Sequence, residues 1–526
     1  MGAAVKTIRW TWFLPALIPV VICSIPLAFV LVSAVQLNPA ELYQSFVFFS
    51  TSSVTNTALL CSGVLLVGLV IGVGAAYVFA HYSFFGARFL ETAFVLPIAI
   101  PGYIMAIAYA SFFNYGGLFY QGTGMYFNMM NMAGLVFTLG LCLYPYIFIT
   151  ALHAFKLSSG NYSESAKLLG IGGRKLFFKI ALPLALPAIV AGAWLVFMET
   201  LNDFGAASYY GVRTLSTEIF RCWQVGPSVT IFLSLCILLL VVVCMVLIQR
   251  YLNKKGYYQA SKSKPMQKIK LTGWRNALAL LVCLKVLFFA FILPVSILIL
   301  YTWQFGLEPG ESKRLLARTV NSFQLAAIAA AVILFFCIVA GYSKIVHRMR
   351  KLKMVEFLAD FGYAVPGAVL AVALISVSTF LDAGLGTFLT GTFFYLVLAY
   401  MIRFYTVARQ PVENIYNKLP QNLYSASVSL GKNPRVTFAK IYFPLLLPAF
   451  VSIFLLVFID VLKELPITLI LRPFNFETLS TSVYGYAKVN ESVGQAAPYS
   501  LLIITLGVLA VLLLKRIEKK YGITQG

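Results

Sequence analysis

Long apolar runs separated by short polar or basic intervals set the pattern of this chain. A run of about 20 apolar residues matches the hydrocarbon thickness of a bilayer. By that measure the sequence predicts membrane helices at roughly 11–36, 54–80, 89–111, 133–154, 187–205 and 228–249. A second set follows at 276–303, 320–343, 357–380, 387–402, 446–463 and 498–514. Lys6 and Arg9 precede the first run as they would in a signal peptide, but Thr11 to Val35 is too long for an h-region and reads as a first span. The pattern predicts an all-α integral membrane protein with about twelve transmembrane helices.

The second set of runs repeats the first. Trp10 and Trp274 open the two sets. Asn56 in VTNTALL pairs with Asn321 in TVNSFQL, and Glu91 stands before Pro101-Gly102 as Glu356 stands before Pro366-Gly367. IALPLALPAIVAG at 180–192 matches IYFPLLLPAFVSI at 441–453, and Thr214-Leu215-Ser216-Thr217 recurs as Thr478-Leu479-Ser480-Thr481. Each half holds six spans, an even number, so both insert the same way up. A pseudo-twofold along the membrane normal, with a pathway between the halves, is the expected arrangement. The Pro-Gly pairs are expected to kink the third and ninth spans. Domain bounds follow as 1–250 (spans 1–6, with a loop at 155–186), a linker at 251–275, and 276–526 (spans 7–12, with a loop at 404–445).

Composition narrows the class. Sixty per cent of the 526 residues are hydrophobic and 11% are charged, against roughly 25% charged in soluble domains. A soluble enzyme, a disordered chain and a peripheral protein with a single anchor are excluded. The formal charge of +23 would suggest nucleic acid in a soluble protein. Here it reports topology: with the N-terminus inside, the outer segments 37–53 and 112–132 contain no Lys or Arg. Both termini are then cytoplasmic, and no nucleic-acid partner is needed. Segment 250–275 carries eight Lys/Arg and no acid. It reads as a cytoplasmic linker near anionic headgroups or as a plain solvated one. Only Cys222 of the eight Cys falls in an outer loop, no CxxC occurs, and the three His are widely separated, so no metal cluster is expected.

The loop between spans four and five has one design in both halves. The first reads Glu164-Ser165-Ala166, three residues, Gly170, nine residues, then Ile180-Ala181-Leu182-Pro183. The second reads Ser425-Ala426-Ser427, three residues, Gly431, nine residues, then Ile441-Tyr442-Phe443-Pro444. Ser163 or Ser165 is expected to cap a short helix, and Gly170 to end it in the left-handed conformation. A basic amphipathic stretch with Arg174, Lys175 and Lys179 follows, and Pro183 and Pro187, mirrored by Pro444 and Pro448, open the next span. Such a helix, presented twice, serves either to dock a symmetric partner or as an interfacial support.

The spacing E-A-A-x3-G-x9-I-x-L-P resembles the signature of permease subunits of binding-protein-dependent ABC importers. Ser165, Ser425, Ser427 and Phe443 depart from it; the Gly and Pro positions are intact. The resemblance implies two tandem six-helix type I ABC importer transmembrane domains whose loops are coupling helices seated on the ATPase. Glu164, Ser165, Ala166, Gly170, Leu182 and Pro183 would form the first contact, and Ser425, Ala426, Ser427, Gly431 and Pro444 the second. It further implies two copies of an ABC ATPase subunit that hold ATP and Mg, an external or periplasmic binding protein, and the bacterial inner membrane as location. No cofactor is expected on this chain. The stretches 143–155, 195–223 and 463–480 are most similar to fused ferric-iron permeases. Fused thiamine and phosphonate permeases share the architecture, so those substrates, or a polyamine, stay as alternatives to ferric iron.

The chain has no G-x4-G-K-[ST], since Gly431-Lys432 is followed by Asn433, and ATP hydrolysis is assigned to a separate subunit. A secondary transporter of two six-span halves is the rival class. It is disfavoured because HYSFFGAR at 81–88 lacks the facilitator pattern. A membrane-embedded enzyme finds no HExxH and no GxSxG. Glu199 and Asp203 lie four residues apart near the outer end of span five, as Asp460 and Glu464 do in span eleven. That spacing puts each pair on one helix face. The four are expected either to line the mouth of a cation pathway or to hold spans in register as ion pairs with Lys463, Arg472 or loop backbone. Salt bridges to basic loops are expected for Glu91 and Glu356.

Overall fold

The computed structural model describes residues 2–36, 38–40, 43, 51–168, 173–225, 234, 236–237, 240, 244, 268–306, 310–347, 362–363, 365–386, 388–420 and 422–521. The protein is all-α there but for one parallel pairing of two-residue strands, Tyr82–Ser83 with Ile269–Lys270. Among the described residues eight helices are long and apolar enough to cross a membrane. A ninth is a bent pair, Ala87–Ala99 with Gly102–Thr123, which turns by 91°. The expected span 89–111 is therefore a broken helix, with the break at Pro101-Gly102. Pro101 and Pro366 each stand at the N-cap of the helix that follows, Gly102–Phe113 and Gly367–Leu385, with extended ψ of 143° and 138°, because Pro has no N–H with which to continue the preceding ladder.

Other boundaries shift. The expected span 387–402 belongs to a longer helix, Phe393–Lys418, that carries Arg403 and Arg409 and so does not qualify on apolarity. The span at 228–249 lies largely outside the described residues, as does the linker up to residue 267 and Glu356. Spans five and eleven begin earlier than the hydropathy suggests, with short helices at Gly173–Leu176 and Pro434–Thr437.

Three wide π turns share one cause. Phe177–Ala181, Phe288–Ile292 and Phe438–Tyr442 each end two residues before a proline, Pro183, Pro294 and Pro444. Proline has no N–H to give the carbonyl four residues back, and its ring collides with it. The widened turn lets Leu182, Leu293 and Phe443 donate to the carbonyls of Phe177, Phe288 and Phe438 instead.

The packing units are not the sequence halves. Val20 and Cys23 of the helix Gly2–Val35 are buried in a core built from the second half, with Leu325, Ala329, Tyr400 and Phe450. Conversely Leu287, Ala290, Ile297 and Leu298, from the first helix of the second half, are buried against Ile104, Phe148 and other first-half residues. Tyr301 Oη donates to the Ser111 carbonyl at 2.7 Å across that junction, and Tyr109 Oη donates to the Phe289 carbonyl. The first half thus lends its first helix to the second, whereas the helix Trp274–Phe305 lies between first-half residues and the helix Val493–Tyr521 of its own half. At the end of the bundle that carries the loops, Glu91 pairs with Lys156 (2.5 Å) and Lys268 (3.9 Å), as its charge suggested. Burial pushes the Lys268 ammonium below its usual value, and Glu91 opposes the shift.

Glycine makes the closest helix contact possible. A Cβ on Gly192 would stand 2.9 Å from Ile147 Cα and 3.0 Å from the Tyr146 carbonyl oxygen, whereas one on Gly74 would meet nothing within 4 Å. Gly192→Ala is expected to cost about 1–3 kcal/mol through overpacking. Gly74→Ala should be neutral or stabilising by up to about 1 kcal/mol through helix propensity. Thermal melting of both variants in detergent checks the opposite signs.

Candidate functional site

The two repeated loops differ in form. In the first half the helix Met132–Leu168 runs unbroken through Ser163 and Ser165, so neither caps a separate helix, contrary to expectation. Glu164, Ser165 and Ala166 fall on its last turns with side chains outside the described residues, and Gly170 lies outside them altogether. Leu182 is half-buried and Pro183 exposed at the head of the next helix. In the second half the short helix is separate, Asn422–Ser429. Gly431 follows at φ 73°, the left-handed conformation that glycine adopts without strain. The Lys432 N–H reaches back to the Ser427 carbonyl at 3.1 Å and closes the helix end. Ser427 is buried and shares a hydrogen bond with Thr437 (2.7 Å), which ties the helix to the next one. Ser425, Ala426 and Pro444 are exposed, and Leu430 is 77% exposed.

All four intramembrane carboxylates border one cavity of about 120 Å³ between the halves, together with Arg403 and Lys463. The structure divides them by role. Asp203 ends the helix Leu182–Asn202 and accepts from the Ala207 N–H at 3.0 Å, at the start of the short helix Gly205–Tyr210. Glu464 does the same in the second half. Its oxygens accept from the N–H groups of Ile467 (3.0 Å) and Thr468 (3.2 Å) at the start of the helix Pro466–Leu471. The first N–H groups of any helix lack intrahelical partners, and a carboxylate there also meets the positive end of the helix dipole.

A second helix start abuts each of these carboxylates. A Cβ on Gly102 would lie 3.1 Å from Asp203 Oδ2, and one on Gly367 would lie 3.0 Å from Glu464 Oε1. Both Pro-Gly pairs thus let a broken helix begin directly against a capping acid. The loop-backbone alternative describes Asp203 and Glu464. The other two acids are held by side chains: Tyr363 Oη donates to Glu199 at 2.9 Å, and Lys463 Nζ pairs with Asp460 at 2.9 Å. Arg472 pairs instead with Glu477 (3.0 Å).

The repeated Asn and Thr motifs fix these short helices to the bundle. Asn56 Nδ2 donates to the Arg213 carbonyl (3.0 Å) and Asn321 Nδ2 to that of Glu477 (3.1 Å). The neighbouring hydroxyls, Thr57 Oγ1 and Ser322 Oγ, accept from the Leu215 and Leu479 N–H groups at 3.0 and 2.7 Å. The sequence showed both motifs as repeat markers without indicating that they meet.

Arg403 was missed, because the tenth span was ended at residue 402. It is 6% exposed and donates to the carbonyls of Tyr363 (3.1 Å) and Val365 and to Asn202 Oδ1 (3.4 Å), with its guanidinium over the Tyr363 ring. The apolar continuation IRFYTVA past residue 402 is the signal that places it inside a buried helix. Three buried polar atoms on this cavity, Tyr103 Oη, Asn202 Nδ2 and Arg403 Nε, have no partner among the described residues.

The division of roles has a stability consequence. Asp203→Ala and Glu464→Ala each remove a helix cap and are expected to destabilise the purified chain by about 1–2 kcal/mol. Glu199→Gln keeps an acceptor for Tyr363 and should leave the melting temperature nearly unchanged. A thermal melt of the three variants side by side tests this.

Comparison with known proteins agrees with the repeat. The profile of the family described as "Binding-protein-dependent transport system inner membrane component" matches residues 68–255 and again 338–523. The chain is 24% identical over 474 residues to the Fe(3+)-transport system permease protein FbpB 2 of Haemophilus influenzae, covering 88% of this chain and 89% of that protein. It is 22% identical to the probable ABC transporter permease protein y4fN of Sinorhizobium fredii, covering 88% and 87%. The sulfate transport system permease protein CysT of Salmonella typhimurium is 27% identical over 142 residues, covering 27% of this chain and 51% of that protein. Two copies of one domain, a helical membrane-spanning fold and relatives that are transport permeases lead to one assignment: the chain belongs to the binding-protein-dependent transport system inner membrane component family, as a fused, two-domain, multi-pass permease of an ABC importer.

Proposed function

We propose that this permease imports ferric iron, delivered by an external binding protein and driven by two copies of a separate ATPase that hold ATP and Mg. The observation that carries the substrate is the cavity between the halves, where four carboxylates face two cations. Acids buried inside a membrane protein line a water-filled path or pair with one another's counter-charges, and here they outnumber those charges. A hard trivalent cation favours oxygen ligands, which the four carboxylates supply. The relative named for Fe(3+) transport covers most of the chain and supports the same cargo, while the sulfate relative matches only part of one half. Sulfate, an anion, would meet the wrong sign of charge in this cavity.

In this reading residues 1–250 and 276–526 are the two transmembrane domains, joined by the basic linker 251–275, with both termini cytoplasmic. Glu164, Ser165, Ala166, Gly170, Leu182 and Pro183 form one coupling element; Ser425, Ala426, Ser427, Gly431 and Pro444 form the other. The exposed Leu430 and Val428 give the second element an apolar face for the ATPase groove. Glu199, Asp203, Asp460 and Glu464 surround the pathway, the first and third touching cargo and the other two holding the broken helices in place.

Uptake of labelled ferric iron by iron-starved cells, with and without the gene and with thiamine uptake measured in parallel, tests the substrate. Loss of iron uptake alone, restored by the gene, is expected. Unchanged iron uptake in cells with no substitute importer would overturn it. For coupling, Gly431→Val forces a β-branched residue into the left-handed region at a cost of about 1–3 kcal/mol. The variant should insert normally yet lose the ATPase stimulation that loaded binding protein produces in reconstituted complexes.

A further inference from the structure

The repeat conserves the acids around the cavity between its halves but not the cations. Glu199 matches Asp460 and Asp203 matches Glu464, both at an offset of 261 residues; at the same offset Lys463 matches Asn202. The helix Met132–Leu168 has no Lys or Arg before Lys156, so the first half has no counterpart to Arg403 on this cavity either. Both positive charges come from the second half.

The two cations are held differently. Arg403 is anchored by two backbone carbonyls and the Tyr363 ring, and it also attracts Glu464 on the same cavity. Lys463 stands at the C-terminal end of the helix Phe443–Leu462, and the contact its ammonium makes is with Asp460, 2.9 Å away. Glu199 also attracts it from across the cavity. An ammonium on a flexible four-carbon stem can leave such a site without breaking the fold. Asn202, at the mirrored position and 8% exposed, has a donor with no partner among the described residues, and so do Tyr103 and Arg403 on the same cavity.

We propose that Lys463 is a tethered counter-cation that determines which ions the cavity accepts. It occupies the position of cargo charge beside Asp460 when no cargo is present. A monovalent cation that replaced it would exchange one unit charge for another and gain nothing. A trivalent cation interacts with the same carboxylates through three charges, so it displaces the ammonium. The displaced ammonium then repels the cargo from close range and favours its onward release. This inference rests on the cation pathway proposed above and adds the residue that selects charge.

Terbium(III), a trivalent, oxygen-preferring ion with a luminescence signal, serves as the probe on the purified full-length chain in detergent, with and without potassium. The Lys463→Gln variant is expected to bind terbium about tenfold more tightly, equivalent to about 1.4 kcal/mol, and potassium should now compete. Asn202→Lys, which puts an ammonium at the mirrored position, should weaken terbium binding. Lys463→Arg, which keeps the charge, should behave as the unaltered chain and also stands as the reference for folding. Equal terbium titrations for the unaltered chain, Lys463→Gln and Asn202→Lys would overturn the counter-cation role while leaving the cation pathway intact. Should Lys463→Gln fail to insert, the Asn202→Lys arm decides: undiminished binding there overturns the proposal. If neither the unaltered chain nor Lys463→Gln binds terbium, the cation pathway falls, and this inference with it.

Discussion

A helix that starts inside a membrane protein brings N–H groups with no intrahelical partner, and this structure starts four helices beside two acids on one cavity. The helices Gly102–Phe113 and Gly205–Tyr210 begin against Asp203, and Gly367–Leu385 and Pro466–Leu471 begin against Glu464. Unpaired backbone in an apolar surrounding costs several kcal/mol per group; Asp203 and Glu464 accept from the helices Gly205–Tyr210 and Pro466–Leu471 and lie beside the starts of the other two. The rest follows from that requirement. Glycine is needed at 102 and 367 because a side chain would meet the carboxylate. Asn56 and Asn321 are needed to hold the chain that returns from each short helix. The cavity is the space that four helix starts leave between them.

Much of this was legible in the sequence because repetition exposes position. The four acids, the Pro-Gly pairs and the Asn and Thr motifs were each found twice. Even the drift in offset carries structure: 261 residues at Asp203 and Glu464, but 264 at Thr214 and Thr478. Three extra residues therefore lie between 471 and 478, where the chain turns through Arg472 and Asn475, the latter at φ 60°. What repetition could not show is which acid caps and which faces open space. By spacing Glu199 and Asp203 share one helix face and the same chemistry, but the helix ends at Asn202, and the turn of the backbone at Asp203 distinguishes them.

Other features escaped because the sequence signal for a membrane helix is apolarity alone. Arg403 interrupts an apolar run, so a hydropathy boundary stops before it. Inside the protein its charge is met by two carbonyls and an aromatic face, and the helix continues to Lys418. The placement of Gly2–Val35 against the second half is a tertiary choice that an apolar run does not encode. Ser163 and Ser165 were read as caps on propensity, yet the preceding helix simply runs through them; a serine caps only where the helix ends.

The first helix of each half bears on how the two halves are joined. Val20 and Cys23 of Gly2–Val35 are buried in the core that holds Leu325, Tyr400 and Phe450, and Leu287 and Ile297 are buried in a core that draws on both halves. Separating the halves would expose all four residues. Yet the halves are not equivalent. One loop continues a long helix while the other is a separate helix ended by Gly431, and both cations on the cavity come from the second half. Each half supplies two of the four acids, so the cavity is symmetric in negative charge and one-sided in positive charge, and Gly2–Val35 and Trp274–Phe305 pack across the boundary beside it.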